Sequence, residues 1–528
     1  MIGLIARKDF FLNLTSARFI LGFLICLFII PFTLVVSMDR YKGQENVYKV
    51  LNDNAEKLLN EARVYSQARP EVVRKPQSLS VFCEGISENL GMSTKVYLGD
   101  YPMFLSGQAT AKDNPLLNAF FSIDFTSIIA IIMSLLALVF SYDCFTREKE
   151  NGTIKMILVN KINRSSFFIG KLLGILLTLL PILFFCYLLG ILFLVVSPNV
   201  ALDSNTWLSI GLLFISAVLY VVVFVLLGMF ISSMSRQSST SIIVSLLVWI
   251  WFLFLMPNMA SYAAQNFVKT DLYENLQFAV SEVNKRHSKQ RRDKRLEIQK
   301  QLGIDGPNSF ISKNDDDGRI EFYGGPKVTF DFHRILTPFE VSYLLDYADK
   351  KWALQKSYVD DLMKQEKTQH YLSLLSPSEI FIQLSSSLCH TDANAHSLYM
   401  DKLREYRESM IQYFRSNKYF ESSLWFTPNK YDLLCDSEEE YKKLSGDWYE
   451  AFLKGKEAEK EFSEKYMPKE WLSENNAYLD LSDFPRFAYK PQITGPALNY
   501  AISRFAMLLF IALVILMLTM LRFSGYRI

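Results

Sequence analysis

Apolar residues gather in six runs along the chain, at 17–37, 119–141, 167–196, 207–231, 241–257 and 498–521. Each run is long enough to be read against the bilayer, since a helix needs roughly 20 such residues to cross the hydrocarbon core. The runs predict six membrane-spanning helices. Between them lie two segments, 38–118 and 258–497, that are charged, aromatic and soluble in character. The pattern divides the chain into five parts. Residues 1–37 form an interfacial segment and the first span, and 38–118 a first outer loop. Residues 119–257 hold spans two to five, 258–497 a large outer domain, and 498–528 the sixth span and a tail.

Within the polar segments the period is mostly helical. Residues 46–68 predict a helix, followed by a strand-prone section around Val81 and Val96–Leu98. Apolar positions Phe267, Leu272, Leu276, Val280 and Val283 recur along 259–302. They predict one long helix continuing outward from the fifth span, kinked at Pro257 and ended by Gly303, Gly306 and Pro307. Residues 338–375, 377–388, 393–424 and 436–466 predict further helices. Asn314–Gly318 reads as a turn, because its oxygen ligands lack the spacing of a calcium loop. The outer segments are thus mainly helical, and the two are expected to pack together. At the start, Ile2–Leu14 interleaves apolar residues with Arg7, Lys8 and Asp9, which suits a helix lying in the membrane interface.

Half of the residues are hydrophobic and the formal net charge is only +2, so the composition offers no general case for nucleic acid. The first apolar run follows Arg7 and Lys8. It is longer than the core of a signal peptide and lacks a small-x-small cleavage site, and so predicts an uncleaved span. Cys26, Cys144 and Cys186 lie in or beside spans, and Cys83, Cys389 and Cys435 lie in the large loops. With no CxxC and three loop cysteines, at most one pair can form there.

Lysine and arginine in short loops set orientation. Loop 143–166 carries Arg147, Lys149, Lys155, Lys161 and Arg164; loop 232–240 carries Arg236; the ends carry Arg7, Lys8, Arg522 and Arg527. Loop 197–206 has none, and holds Asp203. Both termini and loop 143–166 are therefore expected in the cytoplasm, with the two large segments outside. The basic run 285–295 then lies outside. Long loops translocate largely regardless of charge, and the run reads as a solvated helix face.

Motifs of catalysis are missing. GxxxxGK[ST], HExxH and GxSxG do not occur, so the chain is not expected to hydrolyse nucleotide or to be an enzyme. Cys389, His390 and His396 follow no zinc spacing, and no metal is expected. Thr391-Asp392 suits the end of one helix and the capped start of the next. Asp124 and Arg504 are charges inside apolar runs, near the outer ends of spans two and six. Such charges are costly and need a reason. Either they pair or share a polar vestibule, or each snorkels separately to the interface. Gly170, Gly174, Gly190, Gly211 and Gly228 permit close helix contact, and Pro181 predicts a bend in span three.

The segment Tyr142–Lys171, YDCFTREKENGTIKMILVNKINRSSFFIGK, is too polar to span and too short to be a domain. The run Arg147-Glu148-Lys149-Glu150-Asn151-Gly152-Thr153, then Ile154 to Leu158, Asn163-Arg164 and Ile169-Gly170-Lys171, resembles the ABC-2 type exporter permeases. Their pattern there is an acidic pair, Gly-Thr, an apolar helix, Ser-Arg, then Gly-Lys entering a span. Asn163 stands where Ser is commoner. Four further places resemble the subgroup with a large extracytoplasmic insertion before the last span. They are Asp124; Ser376-Pro377; Thr391-Asp392 with His396 and Tyr406-Arg407; and Phe484-Pro485-Arg486-Phe487-Ala488-Tyr489. The subgroup often has Gly before Thr-Asp, and this chain has His390 there.

The resemblance covers nearly the whole chain. It implies an α-helical membrane protein, a six-span ABC-2 exporter-like bundle with a mainly helical extracytoplasmic domain, in a bacterial inner membrane. It implies an ABC ATPase subunit that carries ATP and Mg, docks on the loop of Arg147, Glu148, Glu150, Gly152, Thr153, Arg164 and Lys171, and supplies the energy. The chain itself would bind no cofactor. A second permease chain, the lipid bilayer and an extracytoplasmic partner complete the expected surroundings. Relatives in the subgroup are associated with gliding motility and with copper-site maturation of nitrous oxide reductase. Export is the leading reading. The rival is a mechanotransmitter that moves nothing across the membrane and acts on an outer partner. A membrane-tethered enzyme lacks any convergent catalytic motif.

Overall fold

The computed structural model describes residues 2–86, 91–103, 124–153, 163–197, 200, 202–270, 273–302, 312–313, 320–321, 326–426, 478–490 and 495–524, with part of 443–461. Helix α1, Ile2–Leu14, precedes α2, Ala17–Asn60, whose first amide is taken by the Ser16 side chain at Phe19 N. The first span and the helix predicted at 46–68 are one uninterrupted α2 of 44 residues, which ends at Asn60, short of the predicted end. At 1.5 Å per residue it is roughly 66 Å long, about twice what the hydrocarbon core needs. The next spanning elements are α3 (Phe125–Ser141) with the short α4 (Thr146–Glu150), α5 (Arg164–Val196), and α6 (Ser204–Met234). They are followed by α7 (Ser238–Ile250) with α8 (Met256–Phe267), and by α13 (Gly495–Ser524). Asp124, Asn163 and Asp203 cap α3, α5 and α6, each carboxylate or amide oxygen accepting a backbone N–H that the helix cannot satisfy itself.

Six of these segments are long and apolar enough to cross a membrane: Ala17–Asn60, Phe125–Glu150, Arg164–Val196, Ser204–Met234, Ser238–Phe267 and Leu498–Phe523. The second and fourth are the centre of the bundle, with 67% and 56% of their apolar windows buried, against 17% for the fifth. Close crossing explains this. A methyl group at Gly228 on α6 would lie 1.9 Å from Ser141 Oγ on α3, so the two helices touch backbone to side chain with no room for a larger residue. Phe125, Ile129, Met133, Tyr220, Val221 and Phe224 fill the resulting core.

Outside the spans, α9 (Tyr273–Gln301), α10 (Pro326–Leu372), α11 (Pro377–Leu388) and α12 (Ala393–Ser416) make the insertion mainly helical. Glu71–Val73 (β1) pairs antiparallel with Ser93–Lys95 (β2), and Ser312–Lys313 (β3) with Ile320–Glu321 (β4). A second core joins the two outer segments as expected: Tyr65, Val96 and Leu98 pack with Leu403, Met410, Phe414 and Phe484.

Several boundaries differ from the sequence pattern. The long helix at 259–302 is broken, because Val268 turns extended after α8 and α9 begins only at Tyr273. The bend at span five lies in a π-helical turn, Trp251–Leu255, just ahead of Pro257, which occupies the first turn of α8. Val81 is not in a strand; it is fully buried in the 3₁₀ turn Ser78–Val81. Helix α12 stops at Ser416, where Lys418 takes a left-handed conformation. The turn Asn314–Gly318, the stop at Gly303, Gly306 and Pro307, most of helix 436–466 and Cys435 lie outside the described residues. The other five cysteines are buried thiols.

The largest departure concerns α11. The pattern assigns 377–388 to an outer domain, yet its Ile380, Phe381, Leu384 and Leu388 belong to the core of the spans. Phe381 stacks on Tyr220 at 4.6 Å, and the Tyr220 hydroxyl donates to Ala130 O at 2.9 Å and lies 3.2 Å from Ser378 Oγ. Ser376 Oγ donates to Phe252 O at 2.6 Å in the π-helical turn of the fifth span. Helix α11 is a wedge from the insertion seated among spans two, four, five and six. Truncating Phe381 to Ala should therefore destabilise the whole bundle by about 3–5 kcal/mol, as large core truncations do. Thermal unfolding in detergent checks this: an unchanged melting temperature would mean the wedge is not seated.

Candidate functional site

The segment 142–153 is where one end of every bundle helix meets. After α3, Phe145 N and Thr146 N both donate to Ser232 Oγ at the end of α6, at 2.9 and 3.2 Å. Lys149 Nζ donates to the carbonyls of Ser232, Ser233 and Ser235 at 3.2, 2.6 and 2.9 Å, closing the C-terminal end of α6 with a positive charge. Glu150 accepts from Ser238 N and Ser238 Oγ, both at 2.7 Å, and so puts a negative charge on the N-terminal end of α7. Arg18 of α2 pairs with Asp143 at 2.9 Å. The Phe145 ring lies 4.9 Å from Phe523 of α13 and stacks near Phe168 of α5.

The remaining link is a buried ion triad. Lys171, about two turns into α5, lies 3.2 Å from Asp9 of α1 and 3.1 Å from Glu148 of α4. Glu148 also accepts the Thr153 hydroxyl. Helix α1 can approach this closely because α5 presents glycine at one-turn spacing. A methyl group at Gly170 would meet Ile5 Cβ at 2.8 Å, and one at Gly174 would meet Asp9 Cβ at 2.8 Å. Burial pushes the Asp9 carboxyl up from its ordinary range, and Lys171 draws it back down. Gly152 adopts φ +69 with open space around it, so backbone conformation and not packing asks for glycine there.

Of the residues read from the sequence as docking positions, Glu148 and Lys171 face inward, and Glu150 is exposed while bonded to the start of α7; all three hold helices together. Arg147 and Gly152 are exposed, Thr153 and Arg164 half-buried. Ile154 to Leu158 lie outside the described residues. The sequence reading missed Asp9, Lys149, Ser232 and Ser238 as members of the site. A lysine in an apolar run demands a carboxylate, but Asp9 is 162 residues away and nothing local singles it out.

The intramembrane charges are not brought together. Asp124 accepts from Ser127 N at 2.7 Å and Glu84 N at 2.9 Å, which ties the first outer loop to the start of α3. Arg504 stacks on Tyr500 at 4.5 Å, with Glu366, His370 and Glu379 in its field. His370 Nδ1 lies 3.0 Å from Glu366 Oε1 and 3.0 Å from the Tyr500 hydroxyl. Burial, with some help from Asp392, raises Glu366 to about 8, while burial and Arg504 lower His370 to about 3.

The outer motif residues are chiefly structural. Ser376 caps α11 and Pro377 opens it; Asp392 caps α12 through Ala395 N at 3.1 Å. Between them His390 is left-handed at φ 56, with His390 N bonded to Ser387 O and Thr391 N to Ser386 O. The tight turn that glycine makes elsewhere forms here with histidine, at a cost of about 1 kcal/mol. His396 is buried in α12, its Nδ1 without a partner. Arg407, almost fully buried, donates to Tyr97 O and Leu98 O and stacks on Tyr101 at 3.9 Å, joining the two outer segments. Pro485 O accepts from Tyr406, and Arg486 reaches Asn60 Oδ1 at 3.4 Å.

Lys171→Met leaves two buried carboxylates unpaired and should cost about 3–5 kcal/mol, releasing α1. Hydrogen exchange over residues 2–14 checks it. The triple change Lys171→Met, Asp9→Asn, Glu148→Gln should recover most of the protection. Unchanged protection in the single variant would mean that the triad does not hold α1.

A second expectation concerns pH. Glu366 is raised from about 4.5, so its contribution is full below that pH and is lost as pH rises through about 8. His370 is lowered from about 6.5, so its contribution is full above that pH and is lost as pH falls towards about 3. The two trends offset each other between about 4.5 and 6.5, giving a plateau with losses on both sides. Glu366→Gln should flatten the loss of melting temperature above pH 6.5 and start the acid loss at about 6.5, where His370 is then unopposed. Equal alkaline slopes in variant and wild type would count against this assignment.

A family model described as "ABC-2 family transporter protein" matches residues 4–525. No curated protein matches the chain.

Proposed function

The chain belongs to the ABC-2 family of transporter proteins, a family of non-catalytic multi-pass membrane components, and from that premise we propose that it is the permease subunit of an ATP-driven exporter. The observation that carries this reading is the convergence of α1, α2, α5, α6, α7 and α13 on the segment 142–153. A load applied to that one short segment reaches every span. ABC-2 permeases generally pair with ATPase subunits. The ATPase here would carry ATP and Mg and dock on the exposed side of the segment, at Arg147, Asn151 and Gly152, and on the residues that follow. Closing of two ATPases would tilt α4, and the ion triad and helix caps would pass the movement into the bundle.

Two permease chains are expected to form the complex, as a homodimer or with a related chain. The sparsely buried fifth span, with Ile243 and Leu247 exposed, offers lipid or the second chain an apolar face. The loop charges favour a bacterial inner membrane orientation with both termini cytoplasmic. The large insertion before the last span favours the subgroup named for that feature.

One observation favours the alternative reading as a mechanotransmitter. Helix α2 is a single rod from the first span into the outer domain, so tilt of the span moves that domain directly. An extracytoplasmic partner would then receive the movement.

The test is co-purification with a co-expressed ATPase subunit, followed by ATPase assay. Gly152→Trp forces a bulky residue into a left-handed position on the docking side and should lower coupled activity at least tenfold, with the permease still folded. Normal assembly and normal coupled activity in that variant would count heavily against docking at this segment.

A further inference from the structure

A cavity of about 820 Å³ opens at the seam between the outer domain and the end of the bundle remote from segment 142–153. Its walls come from five places: the outer half of α2, residues 70–79, the start of α6, Tyr399 and Tyr406 of α12, and 486–490 with the turn at His390. The volume lies in the range of small-molecule sites. None of this space is needed by the coupling segment, and the inference below stands apart from the ATPase reading.

Charge in the wall is unbalanced in a specific way. Arg74, Lys75, Arg486 and Lys490 face Glu56, Glu71 and Asp203. All three carboxylates are already engaged, Glu56 accepting from Asn52 Nδ2 at 3.4 Å. Glu71 accepts from Ser93 at 2.7 Å, and Asp203 caps α6 through Thr206 N at 2.9 Å. Arg74 is not engaged. Its guanidinium donates to no described residue and forms no ion pair among them; it lies over the Tyr399 ring at 5.2 Å. Burial pushes that guanidinium down from its ordinary range, with Asp392 in its field but making no ion pair to it, so the wall holds a desolvated cation.

Beside it, Tyr399 is 2% exposed, and its hydroxyl is buried with no hydrogen-bond partner. An orphan donor next to an unpaired guanidinium, both in one cavity wall, is expensive unless something completes them. Tyr489 stands edge-on to Tyr399 at 5.1 Å, giving the same wall an aromatic surface. Arginine backed by a tyrosine face is suited to a planar or tetrahedral oxyanion, through charge-assisted hydrogen bonds.

The floor has a position relative to the membrane. Thr206 and Ser209 line the cavity, and Trp207 between them is 46% exposed on the outer surface of α6. Tryptophan at a span end marks the headgroup level of a bilayer. The cavity therefore lies where both dissolved anions and lipid headgroups reach it.

We propose that this cavity is a binding site for an anionic phosphate group, held by Arg74 with the Tyr399 hydroxyl as second donor and the Tyr399–Tyr489 rings against the body of the ligand. The phosphate belongs either to a soluble phosphomonoester or to an anionic lipid headgroup, and the two sources are separable.

The full-length protein is purified in neutral detergent, and thermal unfolding is followed while glycerol phosphate, or short-chain phosphatidylglycerol, is titrated in. Short-chain phosphatidylcholine is the control. Stabilisation by both anions assigns a phosphate site open to solvent; stabilisation by phosphatidylglycerol alone assigns the headgroup. In either case Arg74→Gln should weaken the apparent affinity at least tenfold, Arg74→Lys should keep part of it, and Tyr399→Phe should weaken it several-fold. Tyr399→Phe loses one hydroxyl and no ring, so it reports even if Arg74→Gln fails to fold. Stabilisation by neither anion, or equal stabilisation with phosphatidylcholine, overturns the proposal. So does full affinity in Arg74→Gln, or in Tyr399→Phe where the arginine variant does not fold.

Discussion

A lysine about two turns inside an apolar helix cannot stand alone. Lys171 enters the bundle with α5, and the low-dielectric surroundings there make an unpaired ammonium untenable. Two carboxylates from different helices resolve the problem, Asp9 from α1 and Glu148 from α4. That requirement fixes much else. Helix α1 must lie against α5, which Gly170 and Gly174 allow, and α4 must fold back under α3. Once α4 is there, its other charges fall on the ends of α6 and α7, where Lys149 meets carbonyls and Glu150 meets amides. The motif that reads as a docking sequence is thus largely a fastening between helices, with Arg147, Asn151 and Gly152 left exposed.

The opposite end of the bundle is organised by a different constraint. Helix α11 brings Ile380, Phe381 and Leu384 into the span core, and also the polar Glu379 and Gln383. Buried polar groups need partners, and they find them in Ser373, Tyr500 and the surroundings of Arg504. The wedge ties the insertion to spans two, four, five and six. Helix α2 ties it to span one. The insertion is therefore continuous with the bundle both by packing and by covalent helix.

The outer motif residues illustrate how structural and functional demands divide. Ser376, Pro377 and Asp392 set where helices begin, and His390 sets how one ends. Arg407 spends its donors on the carbonyls of Tyr97 and Leu98. Arg74 is half-buried and has no such acceptors. The contrast between two arginines, one satisfied by its own chain and one not, is what separates scaffold from candidate site.

The number of spans, the helical class of the insertion, the capping positions and the membrane-protein nature were all legible in the chain. They rest on local signals: apolar run length, period, and short polar residues ahead of helices. The fastening segment was also legible as important, through its Glu-Asn-Gly-Thr break between two spans. Its partners were not. Asp9 and Lys171 lie far apart in sequence, as do Tyr220 and Phe381, and no local pattern tells which charge or ring will meet which. The wedge was misplaced for the same reason: a twelve-residue apolar-faced helix suits an outer core or a bundle core equally until the rest of the fold decides. The sequence by itself determined what each segment must bury; only the tertiary structure decided against what, because burial is a property of the segment and contact is a property of the whole chain.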